Sequence, residues 1–137
     1  MSALTTWLTR QGFPGPRGRH SNGDTPLMRA ARQGQEDIVL ALLEGGAAVG
    51  AVNDDGNTAL WFACLSASTA IIEHLIQAGT PIDHINDDGL TCLMQAAARN
   101  RPAIVELLLA RGAASDVCAP DGRSALDMRR RRSRAPA

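Results

Sequence analysis

Gly23, Gly56, Gly89 and Gly122 follow one another at steps of 33 residues. Five further columns keep the same step: Thr25, Thr58, Thr91 and Ser124; Leu27, Leu60, Leu93 and Leu126; Ala30, Ala63 and Ala96; Ile38, Ile71 and Ile104; Gly46, Gly79 and Gly112. Six columns on one period mark a chain assembled from copies of one supersecondary unit. Such a unit has too little apolar surface to close a core alone, so stacking must bury it.

The unit reads the same way each time. Asn53-Asp54-Asp55-Gly56 and Asn86-Asp87-Asp88-Gly89 are turn sequences, with glycine supplying a backbone conformation that a Cβ disfavours. The threonine two positions later is placed to cap a helix, and short alanine-bearing helices are predicted over 25–33, 58–66 and 91–99. Second helices are predicted over 36–45, 69–78 and 102–111. Their apolar pairs Ile38-Val39/Leu42-Leu43, Ile71-Ile72/Leu75-Ile76 and Ile104-Val105/Leu108-Leu109 recur four residues apart and lay one face on a core. Pro102 fits a first helical turn, and Gly46, Gly79 and Gly112 fit the left-handed stop after a last one.

Composition supports thin helical layers. The aromatic residues are Trp7, Phe13, Trp61 and Phe62, and tyrosine is absent. A core of Ala, Leu, Ile and Val suits closely packed helices better than a β-sandwich. The net charge of zero conceals a division. Residues 1–32 carry five arginines against one acid, residues 33–98 carry nine acids and no basic residue, and residues 99–137 carry nine arginines and four acids. All 14 basic residues are arginine, which with abundant Ala and Gly suggests a GC-rich, bacterial coding genome. Cys64, Cys92 and Cys118 have no zinc spacing and read as small hydrophobes. The chain shows no apolar run of membrane length and no signal-peptide pattern, so a reducing cytoplasm is expected.

The 33-residue step, the opening Gly23-Asp24-Thr25-Pro26-Leu27-Met28-Arg29-Ala30-Ala31 and the Ile-Val-x-x-Leu-Leu second helix resemble the ankyrin repeat family. Thr58-Ala59-Leu60-Trp61-Phe62-Ala63-Cys64 and Thr91-Cys92-Leu93-Met94-Gln95-Ala96-Ala97 are looser versions of that opening. The resemblance implies an all-α repeat solenoid: a curved stack of helix pairs with β-hairpin fingers, binding partners through the fingers and the inner, concave helices. It implies three full repeats at about 20–52, 53–85 and 86–118, with a partial capping repeat at 119–128. Residues 1–19 read as a short helix bearing Leu4, Trp7 and Leu8, followed by a Gly/Pro linker, and residues 129–137 as an arginine-rich tail. Met28, Trp61 and Met94 stand where the family usually has histidine, which exchanges an inter-repeat hydrogen bond for apolar packing.

Carried onto this chain, the family's variable positions are Ser21, Asn22, Asp24, Arg32 and Gln33 in the first repeat. In the second they are Asp54, Asp55, Asn57, Leu65 and Ser66, and in the third Asp87, Asp88, Leu90, Ala98 and Arg99. Arg29, Phe62 and Gln95 share one further column facing the same way. The partner-binding candidates are therefore Arg29, Arg32, Asp54, Asp55, Asn57, Trp61, Phe62, Leu65, Asp87, Asp88, Leu90, Gln95 and Arg99. Trp61 reads first as a residue filling space between repeats, and Phe62 equally as an exposed anchor or a packing residue. The acidic fingers point to a protein partner with a basic patch.

His20, His74 and His84 are scattered, no nucleophile motif or phosphate-cradling loop is present, and no metal set converges. The expectation is a non-catalytic adaptor or regulator with no cofactor, no small-molecule substrate and no membrane contact. The alternative is an accessory factor that touches nucleic acid or an acidic surface through its arginine-rich ends. It is weakened by the lack of aromatic residues among those arginines.

Overall fold

The structure, a computed structural model, describes residues 2–125, 127 and 128. The arginine-rich tail and Leu126 lie outside the described residues. Seven helices are present among them, and no strand, so the fold is all-α. The chain divides between Pro81 and Ile82 into two compact units.

The first unit holds α1 (Ala3–Arg10), α2 (Pro26–Gln33), α3 (Glu36–Glu44), α4 (Ala59–Leu65) and α5 (Thr69–Gln77). Helix α2 packs on α4, α3 on α5, and each short helix on the longer one that follows it. Ala30, Ala31 and Ala63 are fully buried where α2 meets α4, because only a methyl group fits between backbones that approach so closely. On the outer layer Val39, Leu42, Ile71, Ile72 and Leu75 are buried, each stabilising the unit by about 1.5–3 kcal/mol relative to exposure.

Thr25 begins α2 by accepting the Met28 amide at 3.3 Å, while the Met28 sulfur accepts the Thr25 amide at 3.4 Å. The residue that replaces the family's histidine thus closes its own cap, and it is buried. Thr58 occupies the same position before α4 without a side-chain capping bond.

Each helix pair turns on one left-handed residue in a shared column: Gly34 (φ 70°), Ala67 (φ 56°) and, in the second unit, Asn100 (φ 56°). Glycine and asparagine tolerate that conformation, whereas the alanine Cβ crowds its own carbonyl.

Helix α1 lies against α3, with Trp7 and Leu8 buried. The segment after it is pinned rather than loose. Phe13 is buried, stacks on Trp7 with centroids 6.2 Å apart, and stacks on His20 at 3.9 Å with planes 7° apart. The His20 Nε2 contact at 2.8 Å is the Gln11 carbonyl, so Nε2 donates and Nδ1 accepts from Arg29 Nη2 at 3.0 Å.

The second unit contains α6 (Cys92–Ala98) and α7 (Pro102–Ala110), which pack on each other. Thr91 caps α6 by accepting the Met94 amide at 3.2 Å. Asp83 Oδ1 accepts the Ala114 amide at 2.8 Å and ties the loop after α7 to the loop before the finger. Ser124 and Asp127 cap each other's backbone amides, the reciprocal pairing of a capping box.

Two measurements check this account. Ala67→Gly should raise stability by about 1 kcal/mol in urea titration by removing the left-handed strain. The exposed Asp121 carboxyl is held below the usual aspartate range, first by the Arg123 amide and then by the Arg123 guanidinium. Its contribution is present above the ordinary aspartate pKa and fades as pH falls through the lowered one. An NMR titration should show that low midpoint, and Arg123→Gln should raise it.

Candidate functional site

The fingers are built from one backbone pattern used four times. The amides of His20, Asn53, Asn86 and Ala119 donate to the carbonyls of Asp24, Asn57, Leu90 and Arg123, at 2.8–3.1 Å. The glycine of each finger donates back: Gly23 to His20, Gly56 to Asn53, Gly89 to Asn86 and Gly122 to Ala119. These are tight turns rather than the β-hairpins implied by the family. Each closes within five residues, and among the described residues only the fourth has a bridge between the residues that flank it, Cys118 and Ser124.

Asn53 and Asn86 hold their turns from within. Asn53 Oδ1 accepts the amides of Asp55 and Asn57, each at 3.0 Å. Asn86 Oδ1 accepts those of Asp88 and Leu90 at the same distance. Both asparagines are buried, and both leave the two aspartates that follow them exposed at the tip.

Neighbouring fingers of the first unit touch. The Asp54 amide donates to the Asn22 carbonyl at 3.0 Å, and a Cβ on Gly23 would come within 2.9 Å of that amide nitrogen. Asp24, which the variable-position pattern placed among surface residues, is 2% exposed. Its carboxylate accepts from Asn53 Nδ2 at 2.9 Å and Asn22 Nδ2 at 3.2 Å, and pairs with Arg29 at 3.8 Å.

The structure therefore sorts the candidates. Asp54 and Asp55 in the first unit, and Asp87 and Asp88 in the second, are exposed. Arg32 and Arg99 are exposed at the ends of α2 and α6, while Trp61, Leu65 and Leu90 are half-buried. Four candidates are not open surface. Arg29 is committed to His20 and Asp24. Asn57 is buried, with its backbone closing a finger, and Gln95 is buried on α6. Phe62 is 7% exposed, with the Arg32 guanidinium 5.9 Å from its ring centroid, so it packs rather than projects.

Sequence reasoning missed the role of Asn53 and Asn86, although the signal was present as a 33-residue Asn-Asp-Asp-Gly column. The pairing of Asp24 with Asn53 had no such signal, because 29 residues separate them. Among the described residues no group of three or more His, Cys, Asp or Glu is placed to hold a metal, and no helix is long and apolar enough to cross a membrane.

A family model described as ankyrin repeats (3 copies) matches residues 3–84, more than half of the chain, and one described as ankyrin repeats (many copies) matches residues 75–128. No curated protein matches the chain.

Two substitutions test these assignments. Asn53→Ala leaves the Asp24 carboxylate and two turn amides short of partners and should cost about 2–3 kcal/mol in urea titration. Phe62→Ala should cost about 3–5 kcal/mol as a buried aromatic truncation, and a change under 1 kcal/mol would mean that the ring is not packed.

Proposed function

The chain belongs to the ankyrin repeat family, and from that premise we propose that it is an adaptor or regulator that captures a basic protein on its finger tips. Ankyrin repeats are generally protein-interaction modules and typically non-catalytic. The observation that carries the finer reading is the repeated tip: two exposed aspartates presented by a buried asparagine, at Asp54-Asp55 and again at Asp87-Asp88. Residues 33–98 contain no lysine or arginine to neutralise them.

Exposed carboxylates on a rigid turn gain long-range attraction for a basic patch and need no ordering on contact, so they chiefly raise the association rate. In the first unit Trp61 and Leu65 are half-exposed apolar residues of α4 and Arg32 is exposed at the end of α2; in the second, Leu90 is half-exposed before α6 and Arg99 is exposed after it. Cys64, Cys92 and Cys118 are held in no disulfide, in keeping with a reducing, cytoplasmic setting.

Asp55 and Asp88 are the residues to change, because their side chains are exposed and only their backbone amides serve the turn. The Asp55→Arg/Asp88→Arg double variant should keep its melting temperature within a few degrees. It should bind the protein captured by the unaltered chain at least tenfold more weakly and lose the salt dependence of association. An unchanged on-rate and salt slope would remove the tips from the interface. Deleting residues 129–134 should leave capture intact; loss of capture on that deletion would instead favour contact through the arginine-rich tail.

A further inference from the structure

A cavity of about 270 Å³ lies within the first unit, and none of its lining residues is a finger-tip aspartate. Leu4 of α1, Leu27 of α2, Leu42 of α3 and, in the loop after α3, Ala47 and Ala51 line it, and two cations, Arg17 and Arg19, stand among the lining residues. None of the lining residues is acidic. Near the end of α3 the carbonyls of Ala41, Leu43 and Leu42 are taken by the amides of Gly45, Gly46 and Ala47.

Arg17 is held there by a strap fixed on both sides. On one side Phe13 is clamped between Trp7 and His20. On the other, Arg19 Nη1 donates to the Val52 carbonyl at 2.8 Å and to the Gly23 carbonyl at 3.3 Å. Between them the Gly18 amide closes a turn on the Gly15 carbonyl, and a Cβ on Gly18 would fall 2.6 Å from the Pro14 ring. The turn is thus too tight for a side chain at residue 18. Arg19 is engaged in holding the strap, whereas Arg17 is exposed and no described residue takes its guanidinium.

We propose that this cavity binds a small monocarboxylic acid with an unbranched apolar body, its carboxylate on Arg17. The volume sets the size: an apolar cavity of about 150 Å³ holds benzene, so this space has room for roughly ten non-hydrogen atoms. The apolar lining takes the chain, and the guanidinium matches a carboxylate with two parallel donors. A cation would meet Arg17 and no acid, and a neutral chain would leave the guanidinium unused. The site stands apart from the residues proposed to contact a protein partner, so either reading survives the failure of the other.

The test titrates the full chain with octanoate and with octanol, its neutral match, following methyl resonances by NMR. Octanoate should shift the methyl groups of Leu4, Leu27 and Leu42 and bind at least about fivefold more tightly than octanol. Arg17→Gln, a change to an exposed side chain, should erase that preference while Arg17→Lys keeps part of it. Ala51→Phe, which fills the cavity, should abolish binding of both. Equal affinity for octanoate and octanol in the unaltered chain overturns the proposal. So does a preference that survives Arg17→Gln, or shifts that fall outside those leucines.

Discussion

The close packing of α2 on α4 is the contact on which the first unit depends. Two short helices can approach this far only when the residues between them are small, and Ala30, Ala31 and Ala63 are all fully buried there. That approach brings Ser66 at the end of α4 to the last turn of α2, where its hydroxyl donates to the Ala31 carbonyl at 2.8 Å. It also sets the spacing of the fingers, which is why the Asp54 amide meets the Asn22 carbonyl and Gly23 has no room for a side chain. A larger residue at any of these alanines would part both the helices and the fingers.

Polar groups at the fingers divide their work by burial. Asn53, Asn86 and Asp24 are buried and spend their oxygens on backbone amides or on one another. The aspartates that follow each asparagine are left in water, with the amides of Asp54, Asp55 and Asp88 used by the fingers. One four-residue sequence thus supplies both the internal brace and the charged tip. A rigid tip loses little entropy on contact, which suits a recognition surface.

The N-terminal segment acts on the first unit in two ways. Trp7 and Leu8 cover part of the first helix pair, with Trp7 Nε1 donating to Gln33 Oε1 at 3.3 Å. The aromatic stack through Phe13 to His20 then fixes the strap that carries Arg17 to the cavity wall. The loop after α3 lines the cavity with glycine and alanine alone, small residues that leave space beside the strap.

The 33-residue period by itself determined the helix pairs, their stops and the position of each finger, because caps, turn glycines and apolar spacing act over a few residues. The predicted helices match the observed ones to within one residue at each end. Only the tertiary structure decided which side chains the repeat spends on itself. Phe62 is covered, Asp24 is drawn inward to Asn53, Arg29 is claimed by His20, and the segment read as a linker is clamped through Phe13. Those outcomes depend on partners from six to 30 residues away in sequence, the farther ones lying on helices and turns that stacking brings alongside.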